Sequence, residues 1–182
     1  MDVLGIHVPE DSPVFLAFLS VHVLAAMVAV VAGSGAALVR RKGRGRHTRF
    51  GSAYFWAICV VFASAAALAS MRLREDWKLL AIGAVAFAGA FVGRWVRRRY
   101  WSGDTAHIVG MGGSFVAMLT AFYVDNGRQL PVWDRLPTVA YWLLPAAVGG
   151  PLIWRAVRRA GRAESVGAGD GREPRVGRAS SG

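Results

Sequence analysis

Apolar residues in this chain come in long unbroken runs, not in alternation. Residues 14–39, 51–70 and 138–154 contain no Asp, Glu, Lys or Arg, and residues 107–124 contain none either. Residues 77–96 carry only Lys78 near one end and Arg94 near the other. At 1.5 Å of rise per residue, runs of about 17 to 26 residues match the ~30 Å hydrocarbon core of a bilayer. The pattern predicts an all-α, five-helix transmembrane bundle, with helices at about 14–39, 51–70, 77–96, 107–125 and 138–154. Together they form one membrane domain over residues 1–155.

Small residues inside the runs mark the packing faces. In the fourth run, His107, Gly110, Ser114, Ala117 and Ala121 recur every three or four positions, which places them on one helical face. In the first run, Ala25, Ala26, Ala29, Ala32, Gly33, Ala36 and Ala37 lie on the side that carries His22. Small residues let helices approach closely in lipid, so His22 is expected to face the bundle. Gly89 and Gly93 in the third run have GxxxG spacing. Pro145 and Pro151 lie in the fifth, and a kink is expected near residues 141–145 because proline removes a backbone donor.

Polar segments between the runs set the orientation. Residues 1–13 are acidic, with Asp2, Glu10 and Asp11 and no Lys or Arg. A secretory signal has a basic leader and an apolar core of about 7–15 residues, so the first run reads as a retained span. Five spans put 17 Lys and Arg on one side, in residues 40–49, 94–99 and the tail, against five on the other. By the positive-inside rule the N-terminus is expected outside and the C-terminus in the cytoplasm, in a cell (cytoplasmic) membrane. Residues 156–182, rich in Arg, Gly, Ser and Glu, lack apolar periodicity and read as a disordered basic cytoplasmic tail.

Composition agrees with a membrane protein. The chain has 182 residues, 54% of them hydrophobic, and a mean hydropathy of +0.37. A net charge of +11 is compatible with nucleic acid binding, but here the cations flank apolar runs. Anionic lipid headgroups are therefore the expected partner and nucleic acid is not. A membrane protein partner or a homo-oligomer is the further possibility. The single Cys59 excludes an intramolecular disulfide and a CxxC site.

Chemistry rests on few residues. An ionisable group inside a span is a functional candidate by default, and His22 is one. It would bind a quinone, ligate a haem with a non-histidine partner, or relay a proton. The plain alternative is a neutral imidazole bonded to Ser64, Thr120 or Tyr141. His47 ends the basic loop and His107 opens the fourth helix, so both fall at the inner interface, where two histidines alone do not define a metal site. Helix capping and contact with lipid phosphate are the plain readings there. No HExxH motif, nucleophile elbow or phosphate-binding loop occurs, and no catalytic residue is assigned.

His22 on its small-residue helix, the basic loop leading to His47-Thr48-Arg49-Phe50-Gly51 and Tyr54, and His107 followed by GMGGSF together resemble an uncharacterised family of bacterial predicted membrane proteins, a domain of unknown function. The segment from Pro131 to Ile153 adds to the likeness. Thr48 stands where family members often have arginine directly after the histidine. The resemblance implies that His22, His47, Tyr54 and His107 are the cofactor-binding positions to test, with haem or quinone as the candidate cofactor. The leading functional expectation is a multi-pass protein that binds a redox or lipophilic cofactor or assists a membrane redox complex. The alternatives are a small proton-coupled transporter and a structural partner subunit with no cofactor.

Overall fold

A computed structural model describes residues 2–3, 6–7, 12–39, 45–71, 73–99, 104–131 and 133–169. Apart from a two-residue pairing of Asp2–Val3 with Ile6–His7, it is built of helices: α1 (Pro13–Leu38), α2 (Arg46–Met71), α3 (Leu73–Arg99), α4 (Asp104–Asn126) and α5 (Thr138–Gly169), with two short turns of 3₁₀ helix between α4 and α5. Four segments are long and apolar enough to cross a membrane: Pro13–Leu38, Arg46–Met71, Trp77–Arg99 and Asp104–Gln129. Within the described residues α5 is not among them. Its apolar stretch holds Pro145 and Pro151 within the helix and is followed by Arg155.

Helices run further than the apolar runs that predict them. α2 starts at Arg46 rather than near 51, α3 covers Leu73–Arg99 rather than 77–96, and α5 continues to Gly169. Charge ends an apolar run but not a helix, since Arg, Lys and Glu are good helix formers. The same reason applies to residues 156–169, where alanines alternate with arginines and α5 continues to Gly169. The rest of the tail (170–182) and the basic positions Arg40, Arg41, Lys42 and Arg44 lie outside the described residues.

α1 has a proline in its first turn, where the missing N–H costs nothing. It is apolar on every side, and only Phe15, Ala29 and Ala32 are buried. Leu24, Met27 and Val31 are each more than 60% exposed. In water such a surface would be an association liability. In lipid it needs no cover, because the helix satisfies its own backbone groups.

Packing follows chain order: α1 on α2, α2 on α3, α3 on α4 and α4 on α5. The core is made of Ala29, Ala32, Tyr54, Phe55, Ala57, Ile58, Ala86, Ala90 and Met118. Its many alanines are the small-residue packing of membrane interfaces. α3 and α4 meet most closely at glycine. A Cβ on Gly110 would sit 2.7 Å from Gly89 O and 2.8 Å from Gly93 Cα. The GxxxG pair of α3 is thus the seat for α4.

Candidate functional site

Beside the ring contact of Tyr54 with Phe115, two polar side-chain pairs bridge α2 and α4, which are not sequence neighbours. Tyr54 Oη and Ser114 Oγ share a 2.7 Å hydrogen bond, with Tyr54 2% and Ser114 1% exposed. The rings of His47 and His107 have centres 6.4 Å apart and planes at 82°. In both pairs the partners are sixty residues apart. His47 and Tyr54, like His107 and Ser114, are separated by seven positions, two helical turns, on one face. The equal offset means that α2 and α4 run parallel, in register.

Each histidine of this pair is also tied to a third helix. His47 Nδ1 donates to Ala36 O of α1 at 3.0 Å. His107 Nδ1 donates to Gly93 O of α3 at 3.1 Å. A carbonyl only accepts, so these bonds place the proton on Nδ1 and the lone pair of the neutral ring on Nε2. The glycine contact explains the second bond. With α4 drawn against Gly89 and Gly93, the carbonyl of Gly93 comes within reach of a residue one turn before Gly110.

Beside the pair, Arg94 lies with its guanidinium carbon 4.6 Å from the Phe55 ring centre and donates to Ser52 Oγ at 3.3 Å. Arg97 pairs with Asp104 at the start of α4, where an acid also suits the helix N-terminus. With Arg46, Arg49, Arg98 and Arg99, the end of the bundle that carries the histidine pair is strongly cationic.

His22 stands apart. Its Nδ1 is 3.2 Å from Val61 O and 3.1 Å from Ser64 Oγ, both on α2. Ser64 already donates to the carbonyls of Val60 at 2.7 Å and Val61 at 3.0 Å. Its oxygen therefore accepts from the imidazole N–H. Of the three hydroxyls considered as partners, Ser64 is the one used. Thr120 bonds Val116 O of its own helix, and Tyr141 donates to Trp133 O. Ser64 and Tyr54 are ten residues apart on α2, about 15 Å at helical rise. Buried Ile58 and Met118 lie in that core, and no described hydrogen bond links the two polar nodes.

Of the four positions singled out in the sequence, then, His47 and His107 come together, Tyr54 lies two turns deeper on the same seam, and His22 belongs to a separate node. Ser114, treated from the sequence as a packing residue, is the partner of Tyr54. The carbonyls of Ala36 and Gly93 carry no sequence signal at all. The matching seven-residue spacings are the one feature that points to the pairing. Among the described residues no group of three His, Cys, Asp or Glu side chains is placed to hold a metal ion. Comparison with known protein families, curated proteins and solved structures finds no match.

Proposed function

We propose that this chain is a multi-pass protein of the cytoplasmic membrane that holds a redox or lipophilic cofactor, or serves a membrane redox complex, through His47 and His107. The observation that carries this reading is the meeting of two imidazoles from α2 and α4 at 6.4 Å, each oriented by a carbonyl of another helix. Histidine oriented through its second nitrogen is the usual arrangement of a ligand. In the same reading α5 crosses the bilayer as a fifth span, the N-terminus is outside, and the cationic end faces anionic lipid in the cytoplasmic leaflet. Membership of the bacterial membrane-protein family that the sequence resembles is part of the proposal. The gap of about 15 Å between the Ser64 and Tyr54 nodes supports a local site over a continuous proton path. Purification in mild detergent tests the reading. A Soret band, bound metal or stoichiometric quinone that depends on His107 is expected, and a folded protein carrying none of these refutes it.

A second reading is a structural subunit. It is favoured by the fact that all three spans' histidines bond a neighbouring helix's carbonyl through Nδ1, which staples helices without any cofactor. It requires that His47→Gln and His107→Gln change stability alone and leave every bound species unchanged.

A further inference from the structure

Resting on the membrane part of the reading above, and not on the histidine pair, we infer that the seam between α2 and α3 binds one anionic phospholipid. Its phosphate is held at Arg94 and an acyl chain lies along the aromatics beyond. The spacing comes first. Ser52, Phe55, Cys59 and Phe62 recur every three or four residues, on one face of α2. Phe87, Phe91, Arg94 and Arg98 do the same on α3. The two faces meet: Phe62 stacks on Phe87 with ring centres 5.0 Å apart, and Arg94 reaches across to Phe55 and Ser52. Phe87 in turn touches Phe91 at 6.1 Å, and Phe91 is half exposed. The seam is therefore apolar, only partly closed, and cationic at the end where Arg94 and Arg98 stand.

The setting of Arg94 comes second. An arginine near the end of a span ordinarily snorkels toward the headgroups. This one is turned onto α2 instead, with its guanidinium carbon 4.6 Å from the ring centre of buried Phe55 and an N–H donated to Ser52 Oγ at 3.3 Å. These two contacts orient the fork and leave its other N–H donors unused. Among the described residues no carboxylate pairs with Arg94 or Arg98, and Asp104 at the start of α4 is taken by Arg97. An oriented cation at the edge of a span, without an acid, calls for an anion.

The occupant comes third. An arginine fork takes phosphate oxygens in two parallel bonds. Phe87 lies two helical turns before Arg94, about 10 Å along α3. With Arg94 at phosphate depth, the aromatic seam lies at acyl-chain depth. A phospholipid joins the two, whereas inorganic phosphate meets only the cation. Arg98, one turn further out on the same face, adds a second positive charge. That charge favours a headgroup with net negative charge over a zwitterionic one.

The test uses the full-length chain purified in mild detergent, stripped of lipid and offered equal amounts of phosphatidylglycerol and phosphatidylcholine in mixed micelles. Native mass spectrometry counts the lipid retained. About one phosphatidylglycerol per chain is expected, retained about tenfold over phosphatidylcholine. Arg94→Gln should lower that preference about fivefold, and Arg94→Lys should restore little of it, because an ammonium lacks the fork. Arg159→Gln removes the same charge from an exposed position of α5 and should leave the preference unchanged. In the wild type, phosphatidylglycerol with a photoreactive acyl chain should label peptides carrying Phe62, Phe87 or Phe91, a readout that does not depend on a variant folding. Equal retention of the two lipids, an equal loss of preference in Arg94→Gln and Arg159→Gln, labelling confined to other helices, or displacement of the lipid by inorganic phosphate each overturns the inference and leaves the membrane reading standing. Recovery of the chain from cells in the aqueous fraction, without detergent, ends both.

Discussion

Gly110 is where the fold and the histidine pair are joined, so Gly110→Ala is the most informative single change. The added Cβ would meet Gly89 O at 2.7 Å, Gly93 Cα at 2.8 Å and Gly93 N at 2.9 Å. Favourable heavy-atom contact begins near 3.5 Å, so α4 must move off α3 by about 0.5 Å or more. All three obstructing atoms are backbone, so no side-chain rotation relieves the clash. Overpacking of this kind costs about 1–3 kcal/mol. The move also lengthens the 3.1 Å bond from His107 to Gly93 O, adding about 0.5–1.5 kcal/mol if it breaks. We expect a loss of about 2 kcal/mol for Ala and more for Val. The control is Gly113→Ala, three residues on, where an added Cβ meets nothing within 4 Å. There the higher helix propensity of alanine makes the change neutral or stabilising by up to about 1 kcal/mol. Unfolding in mixed detergent–SDS micelles, followed by circular dichroism, gives both values. Equal stability of the two variants would refute the close packing of α3 on α4 and the placement of His107 that follows from it.

Other outcomes follow from the same contacts. Tyr54→Phe removes the bond to Ser114 and should cost about 0.6–1.7 kcal/mol, the range for interhelical hydrogen bonds in membranes; in a double-mutant cycle with Ser114→Ala the coupling should account for most of that, and additive effects would argue against the bond. His22→Leu should cost about 0.6 kcal/mol, because Ser64 keeps its own carbonyl partners, and should not alter any species bound at His47 and His107; altered binding would join the two nodes. In a Cys59→Ala background, Ser12→Cys should react with an impermeant thiol reagent in intact cells and Ser165→Cys only after permeabilisation. Reaction of both from the same side would mean that α5 does not cross the bilayer.

Much of the architecture was legible in the apolar runs. An uncharged stretch such as residues 14–39 has one low-energy arrangement in lipid, a helix that bonds its own backbone. The α4 stripe was legible for the same kind of reason. Ser114 is 1% exposed and Gly110 contacts Gly89, as helical spacing implies. The helix ends at Arg46, Arg99 and Gly169 were harder, because polarity marks the membrane boundary while backbone hydrogen bonding sets the end of the helix. The partner of His22 was narrowed only to three hydroxyls, since depth along a helix leaves open which neighbour it faces.

The sequence by itself determined that the chain is helical, with four runs long and apolar enough to cross a membrane, which positions are small, and that the histidines stand at different points along those runs. These are local properties, read from spacing along one helix at a time. Only the tertiary structure decided that α2 and α4 run parallel in register, that His47 meets His107, and that each ring is turned by a carbonyl of α1 or α3. Those facts depend on how helices sixty residues apart are seated. That seating is set by the missing side chains of Gly89, Gly93 and Gly110, which let two backbones touch and so fix the position of His107.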